Sequence, residues 1–285
     1  MLPDLDHLDH WLATCEAKAG GVRDGCAKQV VWADGPRQTD VSIVYVHGFS
    51  ATAGETRPLP DLVAGALGAN LYFTRLTGHG QDGAAMGQAR LTDWEADVQE
   101  ALEIGAALGR EVIVMGCSTG CTLLTTALAR GAAAKGVVHV SPNYGLRQRS
   151  ARTLLQMPGV RRWGPWLVGR ERAFAPISDA HAALWTTRYD TQAVFTMADA
   201  VRASLSSPIE KIATPAYFAY ATTDQVVDPV KTNRVIRRWG GPVTRDLLVQ
   251  GPEDDAMGHV MAGDVFSPRQ TGPVADRIAA WAKAL

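Results

Sequence analysis

The sequence predicts one α/β domain, with a mostly parallel central sheet flanked by helices and a mostly helical insertion late in the chain. Three observations carry that reading. Short apolar runs bounded by turn residues recur, and helix-period segments lie between them, which is the βαβ alternation of a parallel sheet. The alternation stops from about Asn143 to Ser207 and then resumes. The length of 285 residues, 46% of them hydrophobic and 20% charged, suffices for a core without metal or disulfide staples. The core is therefore expected over residues 1–142 and 208–285, and the insertion over 143–207.

The elements follow in order. Val41 to Val46 is rich in β-branched and aromatic residues and reads as a strand, Leu59 to Leu67 as a helix, and Asn70 to Phe73 as a second strand. Leu91 to Leu108 has helical spacing, with Thr92 or Asp93 placed to cap it ahead of Trp94 and Val98. Glu111 to Met115 is a short strand, Thr119 to Arg130 the helix after it, and Val137 to Val140 a further strand. The insertion is rich in arginine, tryptophan and helix formers, broken at Pro158, Pro165 and Pro176. The pattern resumes with a strand at Ala216 to Tyr220, a helix at Pro229 to Trp239, a strand at Thr244 to Val249 and an amphipathic helix from Gly272 to Leu285. No internal repeat is visible.

Lys and Arg number 28 against 29 Asp and Glu, a net charge of −1, so no global field draws the chain to nucleic acid. No stretch reaches the roughly 20 apolar residues of a membrane span, and no stable membrane insertion is expected. The first residues, Met1-Leu2-Pro3-Asp4-Leu5-Asp6, lack a basic segment followed by an apolar run, which points to a cytoplasmic location. Cys15, Cys26, Cys117 and Cys121 do not form two CxxC pairs, so no metal site is expected, and Cys15 and Cys26 read as separate thiols.

Gly116-Cys117-Ser118-Thr119-Gly120 fits G-x-S-x-G, the sharp strand-to-helix turn that exposes a serine hydroxyl. Its setting, between the run Val112 to Met115 and the helix-like Thr122 to Ala129, is the one that chemistry requires. A serine needs a base to take its proton, and the base needs a carboxylate to hold its tautomer. Of the histidines that follow Ser118, His181 lies inside the insertion and His259 in a loop before the last helix. His259 is the expected base. Asp224 follows the strand Ala216 to Tyr220, at the end where open α/β sheets gather their sites, and is the expected acid. Asp228 precedes Pro229 and reads as a helix cap, and Asp254 and Asp255 lie close to His259 in an acidic loop. Oxyanion donors are expected from the amides of Thr119, after the nucleophile, and Phe49, in the loop after the first strand.

His47-Gly48-Phe49-Ser50, Leu76-Thr77-Gly78-His79-Gly80, the serine turn, Thr223 to Pro229 and Gly258-His259-Val260 together resemble the α/β-hydrolase superfamily, and within it small capped carboxylesterases and monoacylglycerol-lipase relatives. The resemblance runs from about residue 41 to the end, and departs at Cys117-Ser118-Thr119, where relatives often carry bulkier residues. It implies the α/β-hydrolase fold with a helical cap, no cofactor, and cleavage of small-molecule carboxylic esters, short to medium acyl or monoacylglycerol-like, through an acyl-enzyme. The superfamily also contains peptidases and thioesterases, and the fold serves as a ligand receptor.

Other residues draw a plainer reading. His79 is expected to bond backbone in a structural loop, Cys117 and Cys121 to be core thiols, and Glu55 to be a surface carboxylate. From Arg147 to Arg172 the insertion carries Arg147, Arg149, Arg152, Arg161, Arg162, Arg170 and Arg172 with Glu171 as the one acid of that stretch, which reads as a solvated face. Some of its aromatics, Trp163, Trp166 and Trp185 among them, are expected to line an acyl pocket above Ser118.

Overall fold

A computed structural model describes residues 2–285. The chain begins with helix α1 (Leu5–Ala19) and strand β1 (Gln29–Val31). It continues through β2 (Thr39–Val46), α2 (Leu59–Leu67), β3 (Asn70–Phe73), α3 (Gly83–Gln88), α4 (Leu91–Leu108), β4 (Gly109–Cys117), α5 (Thr119–Ala129) and β5 (Gly136–Val140). It then leaves the sheet for α6 (Arg149–Leu155), α7 (Val160–Val168), β6 (Glu171–Ala173), α8 (Asp179–Leu184), β7 (Arg188–Asp190) and α9 (Gln192–Ser206). It returns with β8 (Ala216–Ala221), α10 (Pro229–Arg238), β9 (Val243–Leu248) and α11 (Pro268–Lys283).

The main sheet has seven strands among the described residues, in the order β1-β3-β2-β4-β5-β8-β9, all parallel except β1, which pairs antiparallel with β3. Strand side chains alternate between faces, and both faces are covered. Val44, Val46, Val114 and Phe218 pack in one apolar cluster with α4 and α5 residues such as Trp94 and Leu124. Ile43, Tyr45, Ile113 and Met115 pack on the other with Val63 of α2 and Ile278 of α11. Double coverage explains why β5 and β8 are buried at every position and read in sequence as short apolar runs.

Several elements differ from their sequence reading. Helix α1 and strand β1 lie outside the elements expected from the sequence pattern; Leu8 and Leu12 of α1 are buried, and its Glu16 forms a buried ion pair with Arg75 at 2.6 Å. At the start of α4, Asp93 is not the cap itself but sits at the third helical position and accepts from the Arg90 N–H at 2.8 Å. Helix α11 begins at Pro268 and not at Gly272, because proline suits the first helical position, where no N–H is needed. The stretch between β5 and β8 includes an antiparallel ribbon, β6 with β7.

That stretch is tied to the core through α9, whose Met197 and Ala200 pack into the first apolar cluster, and by hydrogen bonds around α8. The Thr186 N–H donates to Ser50 O at 2.7 Å, Thr52 Oγ1 donates to Leu184 O at 3.0 Å, and Arg23 Nη1 donates to Ala182 O and Trp185 O. All four cysteines are free thiols. Among the described residues, no helix is long and apolar enough to cross a membrane.

Candidate active site

Strand β4 runs without a gap into α5, and the turn between them holds Ser118 at φ +50° and ψ −110°. A non-glycine residue in that region costs of order 1–3 kcal/mol and persists only where its surroundings impose it. Here they do: the Ser118 N–H donates to Val140 O at 3.0 Å, and Ser118 O accepts from the Asn143 N–H at 3.0 Å. Gly120 is required by close approach, since a Cβ there would lie 2.0 Å from Val46 O.

His259 and Asp224 arrive from loops after β9 and β8. The Asp224 carboxylate is buried and oriented by its own turn, Oδ1 accepting from the Val226 and Val227 N–H groups at 2.7 and 2.8 Å. Its Oδ2 lies 2.8 Å from His259 Nδ1, and His259 Nε2 lies 3.1 Å from Ser118 Oγ. A carboxylate only accepts, so the imidazole proton sits on Nδ1 and Nε2 is free to accept from the serine hydroxyl. Burial pulls the His259 pKa down, but the charge and hydrogen bond of Asp224, with Asp255 and Glu55 further off, outweigh it and leave the ring above its ordinary value. The structure thus joins Ser118, His259 and Asp224 in one line of hydrogen bonds. Asp228 instead caps α10, accepting from the Val230 N–H at 3.0 Å.

On the other side of Ser118 stands the loop His47 to Ser50. The Leu76 N–H donates to His47 Nε2 at 3.0 Å, which leaves the proton on Nδ1, 2.8 Å from Gly48 O. In a trans peptide the N–H points opposite the C=O, so this bond turns the Phe49 N–H away from His47. Neither the Phe49 N–H nor the Thr119 N–H has a protein acceptor among the described residues. The Phe49 ring meets His79, Trp94 and Tyr189 edge-on, at 6.0, 6.3 and 5.3 Å between centroids. His79 bonds backbone only weakly, Nδ1 lying 3.4 Å from Thr77 O, while its Nε2 is buried without a partner.

Two carboxylates at this site escaped the sequence reading. Glu55, expected at the surface, is 3% exposed; its Oε1 accepts from the Gly48 N–H at 2.6 Å and from Tyr45 OH at 2.9 Å. Its Oε2 and Ser118 Cβ would lie 2.8 and 3.2 Å from a Cβ on Gly48, so the acid, the glycine and the serine are packed together. Burial pushes its pKa up to about 7, against its bonds to Gly48 and Tyr45 and the pull of His259. Asp255 accepts from three N–H groups of its loop, Met257, His259 and Val260, at 3.0, 2.9 and 2.8 Å. The acidic pair Asp254-Asp255 four residues before His259 was a visible signal for it; for Glu55 only its place seven residues after Gly48 was visible.

The three tryptophans do not converge. Trp166 is 84% exposed and faces solvent, against the expectation of a pocket wall, because α7 packs on Phe195 through its opposite side at Gly164. Trp163 is half-buried and donates to Pro158 O. Trp185 is buried edge-on against His181 and Phe266. None of them lines the cavity of about 340 Å³ between α6 and α9, whose walls include Leu146, Leu155, Met197, Val201 and Leu205. Of the arginines read as a solvated face, Arg152 instead pairs with Asp228 at 2.9 Å and Arg161 with Asp199 at 2.6 Å.

Comparison with known proteins bears on this arrangement. The family model described as alpha/beta hydrolase family matches residues 43–280. Among solved structures, the chain is similar to one reported for LipS and LipT, two metagenome-derived lipolytic enzymes, at 17% identity and a TM-score of 0.75, over 93% of this chain and 100% of that one. It is similar to a monoacylglycerol lipase from Paleococcus ferrophilus at 16% identity and a TM-score of 0.67, over 90% and 98%. A soluble variant of monoglyceride lipase from Saccharomyces cerevisiae matches at 13% identity and a TM-score of 0.66, over 92% of each chain. No curated protein matches the chain.

Proposed function

Since the chain belongs to the alpha/beta hydrolase family, we propose that it is a cofactor-free serine hydrolase that cleaves carboxylic esters of small molecules. The observation that carries this reading is His259, bonded through one nitrogen to Ser118 Oγ and through the other to Asp224. Ser118 Oγ attacks the ester carbonyl while His259 Nε2 takes its proton; Asp224 holds the ring and stabilises the imidazolium. The amides of Phe49 and Thr119 receive the oxyanion, the latter at the positive end of α5. The alkoxide leaves with the proton from His259, and a water activated by the same nitrogen releases the acid. The segment from about 143 to 207 acts as the cap over this site. The lipolytic and monoacylglycerol-lipase relatives favour an ester over an amide or thioester.

Labelling with a fluorophosphonate tests the reading. The wild-type chain should be modified at Ser118 and lose esterase activity in proportion, and Ser118→Ala should neither label nor turn over, a loss of up to about a millionfold. Active protein that carries no label on Ser118 would refute the assignment. A panel of p-nitrophenyl esters run beside aminoacyl and thioester substrates decides the leaving group.

A further inference from the structure

Large apolar side chains stand exposed in one stretch of the chain between β5 and β8. Trp166, Leu167 and Ile177 are 84%, 69% and 68% exposed, Met157 47% and Phe174 36%. The inner side of α7 is occupied, with Val160 and Gly164 buried and a Cβ on Gly164 falling 2.8 Å from Phe195 Cζ. Its outer side carries Arg162 and Trp166, four residues apart, and the exposed Arg170 follows just after the helix ends. Residues 169–180 are exposed throughout and bring Arg172, Phe174 and Ile177.

The charge of this stretch is one-sided. From Arg147 to Ile177 there are seven arginines and one acid, Glu171, in a chain whose net charge is −1. Arg152 and Arg161 are tied to Asp228 and Asp199, and Glu171 is itself engaged by Arg188. Arg147, Arg149, Arg162, Arg170 and Arg172 are exposed and have no carboxylate partner among the described residues.

We infer that the outer face of α7 and the segment 169–178 form a docking surface for an anionic lipid surface. Tryptophan, leucine, isoleucine and phenylalanine enter the boundary below the headgroups, while the unpaired guanidinium groups meet lipid phosphates, the composition by which interfacial helices bind. A second copy of the chain fits this face poorly, because a two-fold contact would set its arginines against themselves. The inference stands apart from the catalytic reading, and its test reads binding and not turnover.

The full chain is mixed with vesicles of neutral phosphatidylcholine, or of phosphatidylcholine with about 30% phosphatidylglycerol, and followed by sedimentation and tryptophan fluorescence. Anionic vesicles should bind at least about tenfold more tightly than neutral ones, with a blue shift and a loss of binding as salt is raised. With each arginine worth about fivefold, Arg162→Gln/Arg170→Gln/Arg172→Gln should weaken binding on the order of a hundredfold, and the corresponding triple lysine variant should retain most of it. Leu167→Ser/Ile177→Ser should weaken it on both vesicle types. These side chains are exposed, so thermal melts of the variants should match the wild type. Absence of binding, equal binding to both vesicle types, or a glutamine variant that binds like wild type would overturn the inference. So would a dimer in solution that Leu167→Ser/Ile177→Ser disperses.

Discussion

The imidazole of His259 titrates above its ordinary value because Asp224 outweighs its burial, so kcat/KM should rise with pH and reach half its plateau above 6.5. A half-point well below 6 would remove His259 as the base. Glu55, raised to about 7 by burial, lies close enough to couple with it. Glu55→Gln keeps an oxygen for the Gly48 N–H and Tyr45 OH but removes the charge. The pH profile should then sharpen to a single ionisation and move to lower pH, an outcome that a merely structural Glu55 would not produce. The same group affects stability. Its folded pKa lies above the unfolded value, so its own contribution to stability is complete below about pH 4.5 and is lost as pH rises through 7, about 3 kcal/mol in all. In urea unfolding the stability of Glu55→Gln relative to the wild type should shift in the variant's favour by about 3 kcal/mol between pH 5 and pH 8.

The loop between β9 and α11 owes its shape to Asp255. Its carboxylate satisfies three N–H groups around His259, and its own N–H donates to Ser267 Oγ at 3.1 Å, whose hydroxyl in turn donates to Val260 O at 2.7 Å. Asp255→Ala leaves those donors unpaired, at roughly 1–3 kcal/mol for each that stays buried. A loss of about 3 kcal/mol in urea unfolding is expected, together with a lower kcat as the imidazole leaves its line with Ser118; wild-type values for both would show that the loop holds itself. The ordered elements were readable because each shows its period within a few residues, as in Asn70–Phe73 or Leu91–Leu108. Strand β1, at three half-buried residues, is too short to show a period, and α1 showed its apolar positions Leu5, Leu8 and Leu12 only at helical spacing among acids and histidines.

Across the whole molecule the buried histidines set the response to acid. Burial lowers His47 to about 4 and His139 to about 3, and takes His79 down as well. The unfolded chain binds protons at these sites near pH 6.5 and the folded chain does not, so stability falls as pH drops below about 6.5, by up to about 4 kcal/mol per unit while all three sites contribute. His139 has no hydrogen-bond partner at either nitrogen and stacks on Phe218 at 4.5 Å. His139→Phe should reduce the slope in unfolding free energy between pH 6 and 5 by about 1.2 kcal/mol per unit; an unchanged slope would place the acid sensitivity elsewhere. The sequence by itself determined the alternation of strands and helices, the serine turn and the order Ser118, Asp224, His259. Period and chain order are properties of neighbours along the chain, legible before any contact forms. Only the tertiary structure decided that Glu55 and Asp255 are enclosed, that Trp166 faces water and that His139 is buried without partners. Exposure depends on what the fold brings from far away: Glu55 is enclosed by residues of β2 and β4 as well as its own loop, and Trp166 faces out because Phe195 of α9 occupies the other side of its helix.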